Sequence, residues 1–596
     1  MARQSRSQPV ASSLRLLGSF IRPYMLIAVL TVCFMALCIA GMLYIPTELA
    51  NLMNAALDQG SPEILLARVG AMGLAAVTGS GSALVTNYFA ARLAAHVGRD
   101  LRVAIYQASL AFSGSDFERI GTGSMITRTL SDVTVVQQTL LMSIVMILPV
   151  PFTCTISIAL AFSIDAWMGW ILLAVTFAVL AISLIALRAS APIFMRLQGF
   201  IDRMNARLRE AITGVRVIRA FGKEDDARAR LDTTFSEYAT GAIKVNMLFA
   251  AADSLTFFLM NSVEALIIWV GADRVGAHAM QIGSISALIQ YALFIMFFMM
   301  MAQIALLSVP RALACLQRAQ EVLTLVPEIQ DPAEPAALPA FLAPSAPIAA
   351  FVHAGFRFAD ADEDTLHDLN LELRRNETTA IIGNTGSGKS TIAKMLLRFH
   401  DVTTGQLLFQ GIDVRDLALV ELRAKIAYVS QRAWLFSGTI AENLRRADPH
   451  ADDARLWWAL DAAQAGFVRD LPDGLASHVS PGGTNFSGGQ RQRLAIARAL
   501  VRKADLYIFD DSFSALDART DAALRHALAA ALSDAAVLVI AQRISTVRDA
   551  DQIAAFKDGR IVGLGRHEEL LESCSVYREI AESQNRGGES GGETSV

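Results

Sequence analysis

The run Thr379-Ala380-Ile381-Ile382-Gly383-Asn384-Thr385-Gly386-Ser387-Gly388-Lys389-Ser390-Thr391 decides how the second half of this chain folds. Its apolar start predicts a strand, and the periodic segment after Thr391 predicts a helix. Strand, glycine-rich turn and helix is the context in which backbone N–H groups wrap phosphates at a helix N-terminus. Lys389 would reach the β- and γ-phosphates of a nucleotide, and the Ser390 hydroxyl would ligate Mg²⁺. Gly383, Asn384, Thr385, Gly386, Ser387, Gly388 and Thr391 complete the cradle.

Two further segments belong with this loop. A second apolar strand, Leu506-Tyr507-Ile508-Phe509, ends in Asp510, placed to hold Mg²⁺ through water, and Asp511 follows directly. Between the two, Phe486-Ser487-Gly488-Gly489-Gln490 opens the helix Arg491 to Leu500, so small residues and free N–H groups again sit where a phosphate could bind. One nucleotide cannot be held on opposite sides by both anion sites of one chain. The second site would come from another subunit.

The first half reads differently. The chain has 596 residues, 53% of them hydrophobic, and a mean hydropathy of +0.41. Six apolar runs, 25–45, 69–91, 140–164, 167–187, 247–272 and 284–307, each approach or exceed the roughly 20 residues needed to cross hydrocarbon. The N-terminus and the loops 94–139 and 188–246 contain nineteen Arg or Lys, whereas the loops 46–68, 165–166 and 273–283 contain only Arg68 and Arg274. Positive residues stay inside, so both termini are expected in the cytoplasm. A net charge of -4 lacks the basic excess that nucleic-acid binding needs, so no nucleic-acid partner is expected. Five scattered cysteines have no metal-ligand spacing and read as packing residues.

These patterns divide the chain into a lead-in at 1–23 that could lie along the membrane surface, a membrane domain at 24–325, a Pro/Ala-rich linker at 326–347, a nucleotide-binding domain at 348–585 and a polar, disordered tail at 586–596. The expected fold class is a membrane all-α six-helix domain with long cytoplasmic helical extensions, followed by an α/β P-loop NTPase domain. Short breaks at Ser113–Phe117 and Phe221–Asp225 interrupt the cytoplasmic helices. Within the spans, Glu264 could attract cationic substrates, and Phe297 and Met300 belong to a soft, adaptable run that could line a substrate pathway. Gly73, Gly79, Gly81 and Ser82 are expected to permit close helix packing.

The combination resembles an ATP-binding cassette (ABC) half-transporter of the exporter type, and the resemblance covers nearly the whole chain. It implies ATP and Mg²⁺ as cofactors, membrane lipid as surroundings, and a bacterial inner or plasma membrane location with the nucleotide-binding domain cytoplasmic. It carries adenine stacking onto Phe358, Mg²⁺ contact onto Ser390, Gln431 and Asp510, the signature onto Ser487, Gly488, Gly489 and Gln490, the D-loop onto Ser514 to Asp517, and a switch position onto Gln542. It also implies that two cassettes close head to tail, and that the two cytoplasmic breaks are coupling helices.

The chain departs from the family pattern at four of these places. Phe358 replaces Tyr and Phe486 replaces Leu, both conservative for binding. Asp511 stands where a glutamate is usual and Gln542 where a histidine is usual, and both changes strike hydrolysis. A carboxylate one methylene shorter sits about an ångström from where the attacking water needs it, and misplacement on that scale costs roughly a hundredfold. An amide can donate a hydrogen bond but cannot relay a proton. With Gln431, these residues form the expected catalytic set. The resemblance then implies a degenerate-site subunit paired with a different half-transporter to export small hydrophobic or cationic compounds. A homodimeric lipid or drug exporter, and an ATP-binding gating subunit, are the alternatives. With both termini cytoplasmic, a single cysteine introduced at Gly276 of an otherwise cysteine-free variant should react with an impermeant maleimide in intact cells. One introduced at Gly222 should react only after permeabilisation, and the reverse pattern would overturn the topology.

Overall fold

The computed structural model of the protein describes residues 10–589 except 340, 344, 359, 360 and 385. They form two compact units: one from the N-terminal part through Ala111 together with Ile120–Leu325, the other from Phe112–Arg119 and the residues from Val326 onward.

The first unit is helical throughout. Six of its helices are long and apolar enough to cross a membrane, and all six expected spans lie within them. Helices Met25–Leu57, Pro62–Leu110, Ala166–Thr213 and Glu224–Gly276 run well past the apolar segments, because their flanks keep helical periodicity, in the first even across Pro46. A short helix, Val10–Ile21, precedes them with Leu14 exposed and Ser13 donating to Gln320 Oε1 at 3.1 Å.

Close packing depends on which small residues face a neighbour. A Cβ on Gly41 would lie 3.0 Å from Gly79 Cα, so the first two spans meet backbone to backbone there. Ser82 is buried, but the expectation fails for Gly73 and Gly81, whose Cβ positions are open. The segment Thr122–Ile164 contains two wide turns, Arg128–Asp132 and Ser143–Ile147. In the second, Leu148 N–H donates to Ser143 O at 2.9 Å, five residues back. Pro149 follows, and its ring would clash with a carbonyl four residues earlier in a regular helix. Asp165 caps the helix Ala166–Thr213 and takes both Nε and Nη2 of Arg274, at 3.0 and 2.6 Å. Cys315 and Cys574 are buried, as packing residues should be, whereas Cys33 faces outward.

The second unit is built on a six-stranded sheet in the order Arg560–Gly565, Gln552–Lys557, Thr378–Gly383, Ala536–Ala541, Leu506–Asp510, Ile426–Val429. All pairings except the outermost, between Gln552–Lys557 and Arg560–Gly565, are parallel. Helices cover both faces, as parallel strands require. The alternation is direct: Ala380, Ile382, Phe509, Val539 and Ala555 join one apolar core, and Ile381, Ile508, Leu538, Ile540 and Ala554 join the other. A four-stranded antiparallel sheet, Leu366–Leu373, Ala349–Phe356, Thr404–Phe409 and Ile412–Asp413, packs into the second core. The final helix, Ser575–Glu589, runs four residues into the tail expected to lack structure. Extending an established helix costs little, since each added residue brings one hydrogen bond.

Arg398, buried behind the P-loop helix Lys389–Leu396, ties the start of the linker to this unit. It donates to Gln330 O at 3.1 Å, Leu417 O at 3.2 Å and Asp401 Oδ1 at 3.0 Å. Arg398→Ala is therefore expected to cost about 2–4 kcal/mol, measured as an earlier thermal unfolding transition of the detergent-solubilised chain. An unchanged transition would show that the three bonds contribute nothing net.

Candidate functional site

Three parallel strands finish at one edge of the large sheet and deliver the site. Ile382 pairs with Ala541 and Ile540 pairs with Asp510, so the P-loop, the residues after Asp510 and the switch segment at 542 emerge side by side. Gly388 N-caps the helix Lys389–Leu396 at φ 94°, a left-handed conformation that a side chain would strain. The helix N-terminus therefore opens directly onto the loop.

Lys389 is buried, and its Nζ donates to the carbonyls of Gly383 at 2.7 Å and Asn384 at 2.6 Å, with Ser387 Oγ at 3.5 Å. Burial lowers its pKa, while Asp511 and Asp510 oppose that shift. The ammonium thus rests on its own loop, with charge compensated only in part. Replacing those carbonyls by phosphate oxygens would repay that burial. Thr385 lies outside the described residues.

Ser390 Oγ donates to Asp510 Oδ1 at 2.9 Å, and Tyr428 Oη donates to Asp510 Oδ2 at 3.3 Å. Burial pushes the Asp510 carboxyl up, against the lowering effect of these two hydroxyls; burial, reinforced by Asp510, pushes the Tyr428 phenol up as well. The oxygens of Ser390 and Asp510 are hard donors already in contact, which suits Mg²⁺. Among the described residues there is no group of three or more His, Cys, Asp or Glu that could hold a metal. Mg²⁺ keeps several waters and takes substrate phosphates as ligands, so it needs few protein oxygens.

Asp511 lies at φ 47°, with its N–H donating to Ile540 O at 2.8 Å. Its Oδ2 accepts from Gln431 Nε2 at 3.2 Å and from Gln542 Nε2 at 3.0 Å. The three positions named from sequence as the catalytic set therefore converge on one oxygen. Phe358 is half-buried, edge-on to Phe356 and to His400, with ring centroids 4.8 and 5.5 Å away.

Ser487 to Gln490 stand apart from this cluster. Ser487 caps the helix Gly488–Val501 reciprocally with Gln490, at 2.9 and 3.3 Å, which leaves Ser487 and Gly488 exposed. Asp517 caps the next helix, Ala518–Ala531, through Thr520, whose bonds hold its carboxyl below the usual range. In the membrane unit, Phe297 and Met300 line an apolar cavity of about 470 Å³ together with Met42, Phe257, Met260 and Phe294. Glu264 is half-buried on the helix Glu224–Gly276 and is not among the residues that line it.

Residues 27–300 match the family model for the ABC transporter transmembrane region, and residues 366–514 match that for ABC transporters. An uncharacterized ABC transporter ATP-binding protein of Mycobacterium tuberculosis is 37% identical over 592 residues, 97% of this chain and 99% of its own length. The chain belongs to the ABC transporter family. It is an exporter-type half-transporter, with the membrane domain and the ATP-hydrolysing cassette in one polypeptide. A fatty acid ABC transporter ATP-binding/permease protein of Mycobacterium tuberculosis is 30% identical over 78% of the chain and 73% of its own length. An ATP-dependent lipid A-core flippase of Desulfotalea psychrophila is 30% identical over 82% of the chain and 84% of its own length. A bacterial Atm1-family ABC exporter solved with ATP bound has the same fold, with a TM-score of 0.79 at 24% identity over 94% of this chain and 98% of that one.

Sequence reasoning gave Tyr428 no role, although it reaches Asp510. It stands three residues before Gln431 in a strand adjacent to that of Asp510, and strand adjacency is not written in local sequence. Lys389→Ala of this ABC half-transporter should weaken ATP binding about tenfold or more, because one charge-assisted contact contributes roughly 1.5–3 kcal/mol. A fluorescent-nucleotide titration measures it, and undiminished affinity would remove Lys389 from the site.

Proposed function

We propose that this chain is the degenerate-site subunit of a heterodimeric exporter. It holds Mg·ATP on its own P-loop and lends Ser487 to Gln490 to a working hydrolytic site in a partner half-transporter. The observation that carries this reading is the convergence on Asp511 Oδ2: the oxygen that would take a proton from water already accepts two amide hydrogen bonds, from Gln431 and Gln542. A carboxylate so occupied is a weaker base, and neither amide can carry the proton onward. The exposed Ser487 and Gly488 stand at a helix N-terminus, where the N–H groups of Gly488 and Gly489, outside the capping pair, suit a phosphate offered by another subunit.

Within this reading, Ser390, Gln431 and Asp510 would hold the Mg²⁺, and Phe358 would take the adenine. Bound Mg²⁺ would neutralise charge on the β- and γ-phosphates. Lys389 exchanges its two loop carbonyls for phosphate oxygens, and Gln542 donates toward the γ-phosphate. The cassette faces the cytoplasm of a bacterial inner membrane. The substrate is a small hydrophobic compound entering among Phe257, Phe294, Phe297 and Met300, which supply adaptable apolar surface without charge. Glu264 would act on a cationic substrate only from outside that cavity.

A second reading, a homodimeric lipid exporter, is favoured by two relatives whose names specify fatty acid and lipid A-core, together with the same apolar cavity. The two readings part on ATP turnover. In the heterodimer reading the purified chain alone hydrolyses ATP slowly, and Asp511→Glu with Gln542→His raises its turnover about a hundredfold. Rapid hydrolysis by the unaltered chain, with no gain in the double variant, would establish the homodimer instead.

A further inference from the structure

The switch segment leaves its strand at Ala541 and runs extended through Arg543, at φ −104° and ψ 132°, into the short helix Ile544–Val547. The N–H of Ile544 belongs to the first turn of that helix and has no acceptor within it. One side chain from the far end of the chain meets both needs of the segment. Gln584 Oε1 accepts from Ile544 N–H at 2.8 Å, and Gln584 Nε2 donates to Gln542 O at 2.7 Å. The primary amide therefore does for residues 542–544 what a peptide group of a neighbouring strand would do.

Gln584 is held in place to do this. Tyr577, fully buried, anchors the helix Ser575–Glu589 in the apolar core, with Val576 and Ile580 packed against that core, and Ala581 is buried one turn further on. Tyr577 Oη lies 2.7 Å from His567 Nδ1, fixing the helix at its other end. The amide reaches the backbone of Gln542, the residue whose Nε2 meets Asp511 at 3.0 Å.

We propose that Gln584 is a positioning residue for ATP hydrolysis, clamping the backbone on both sides of Arg543 so that the residue-542 side chain stays aimed at the γ-phosphate. The inference rests on the reading of residue 542 as the switch position, and applies whether that site turns over slowly or rapidly.

The test compares the full-length chain with Gln584→Ala and Gln584→Glu, using Mg·ATP, by hydrogen–deuterium exchange and by radiolabelled ATP turnover. In Gln584→Ala the peptide covering 541–547 should exchange roughly tenfold faster, the factor expected for one lost hydrogen bond, while the P-loop peptide is unchanged. Turnover should fall about tenfold through kcat, with KM for ATP held within about twofold, because positioning rather than binding is lost. Gln584→Glu keeps the acceptor for Ile544 and loses the donor to Gln542. Its exchange should be intermediate and its kcat as low as that of the alanine variant. Unchanged exchange at 541–547 would overturn the clamp, and faster exchange with unaltered kcat would reduce Gln584 to a structural contact. Failure of the degenerate-site reading shows separately, in the Asp511→Glu, Gln542→His pair, and does not alter this comparison at residue 584.

Discussion

Everything chemical in this protein depends on the mutual alignment of three parallel strands. Because Thr378–Gly383, Ala536–Ala541 and Leu506–Asp510 are hydrogen-bonded neighbours in fixed register, their ends lie level, and the residues just beyond them meet without any long-range adjustment. A slip of one residue in any strand would turn its apolar side chains to the opposite core and withdraw its functional residue from the edge. The two cores on either face thus fix the geometry of the nucleotide site as firmly as the hydrogen bonds within it.

That alignment also explains how far the sequence could be read. The P-loop, Asp510 and the signature are contiguous, and their residue types are chosen by backbone geometry and charge, so short stretches reveal them. The six spans were legible because hydrophobic length is a property of each segment alone. Tyr428 and Gln584 were not, since the first joins Asp510 across 82 residues and the second joins residue 542 across 42. Their contributions exist only once strand order and the docking of the last helix are known. The glycines of the second span show the same limit on a smaller scale. Composition marked Gly73, Gly79 and Gly81 alike, but only Gly79 turns toward the first span.

Asp511 and Gln542 gain meaning from being seen together. Apart, each is a conservative loss; in space they share one hydrogen bond, with Gln431 on the same oxygen. A shorter acid and an amide form a matched pair that satisfies itself, and the proposed degenerate-site role rests on that pairing. The intact Lys389, Ser390 and Asp510 nearby retain the contacts a gripping site needs.

The wide turns at Arg128–Asp132 and Ser143–Ile147 have a consequence for the membrane unit. Each takes up about one residue more than a regular helical turn, and one residue corresponds to roughly 100° of azimuth. Two in succession advance the phase of everything beyond them by about 200° relative to an uninterrupted helix. The stripe that would face one neighbour near Thr122 has therefore swung to nearly the opposite side by Pro149. A single continuous segment can in this way show one meridian to its companions near Thr122 and the antipodal meridian beyond Pro149.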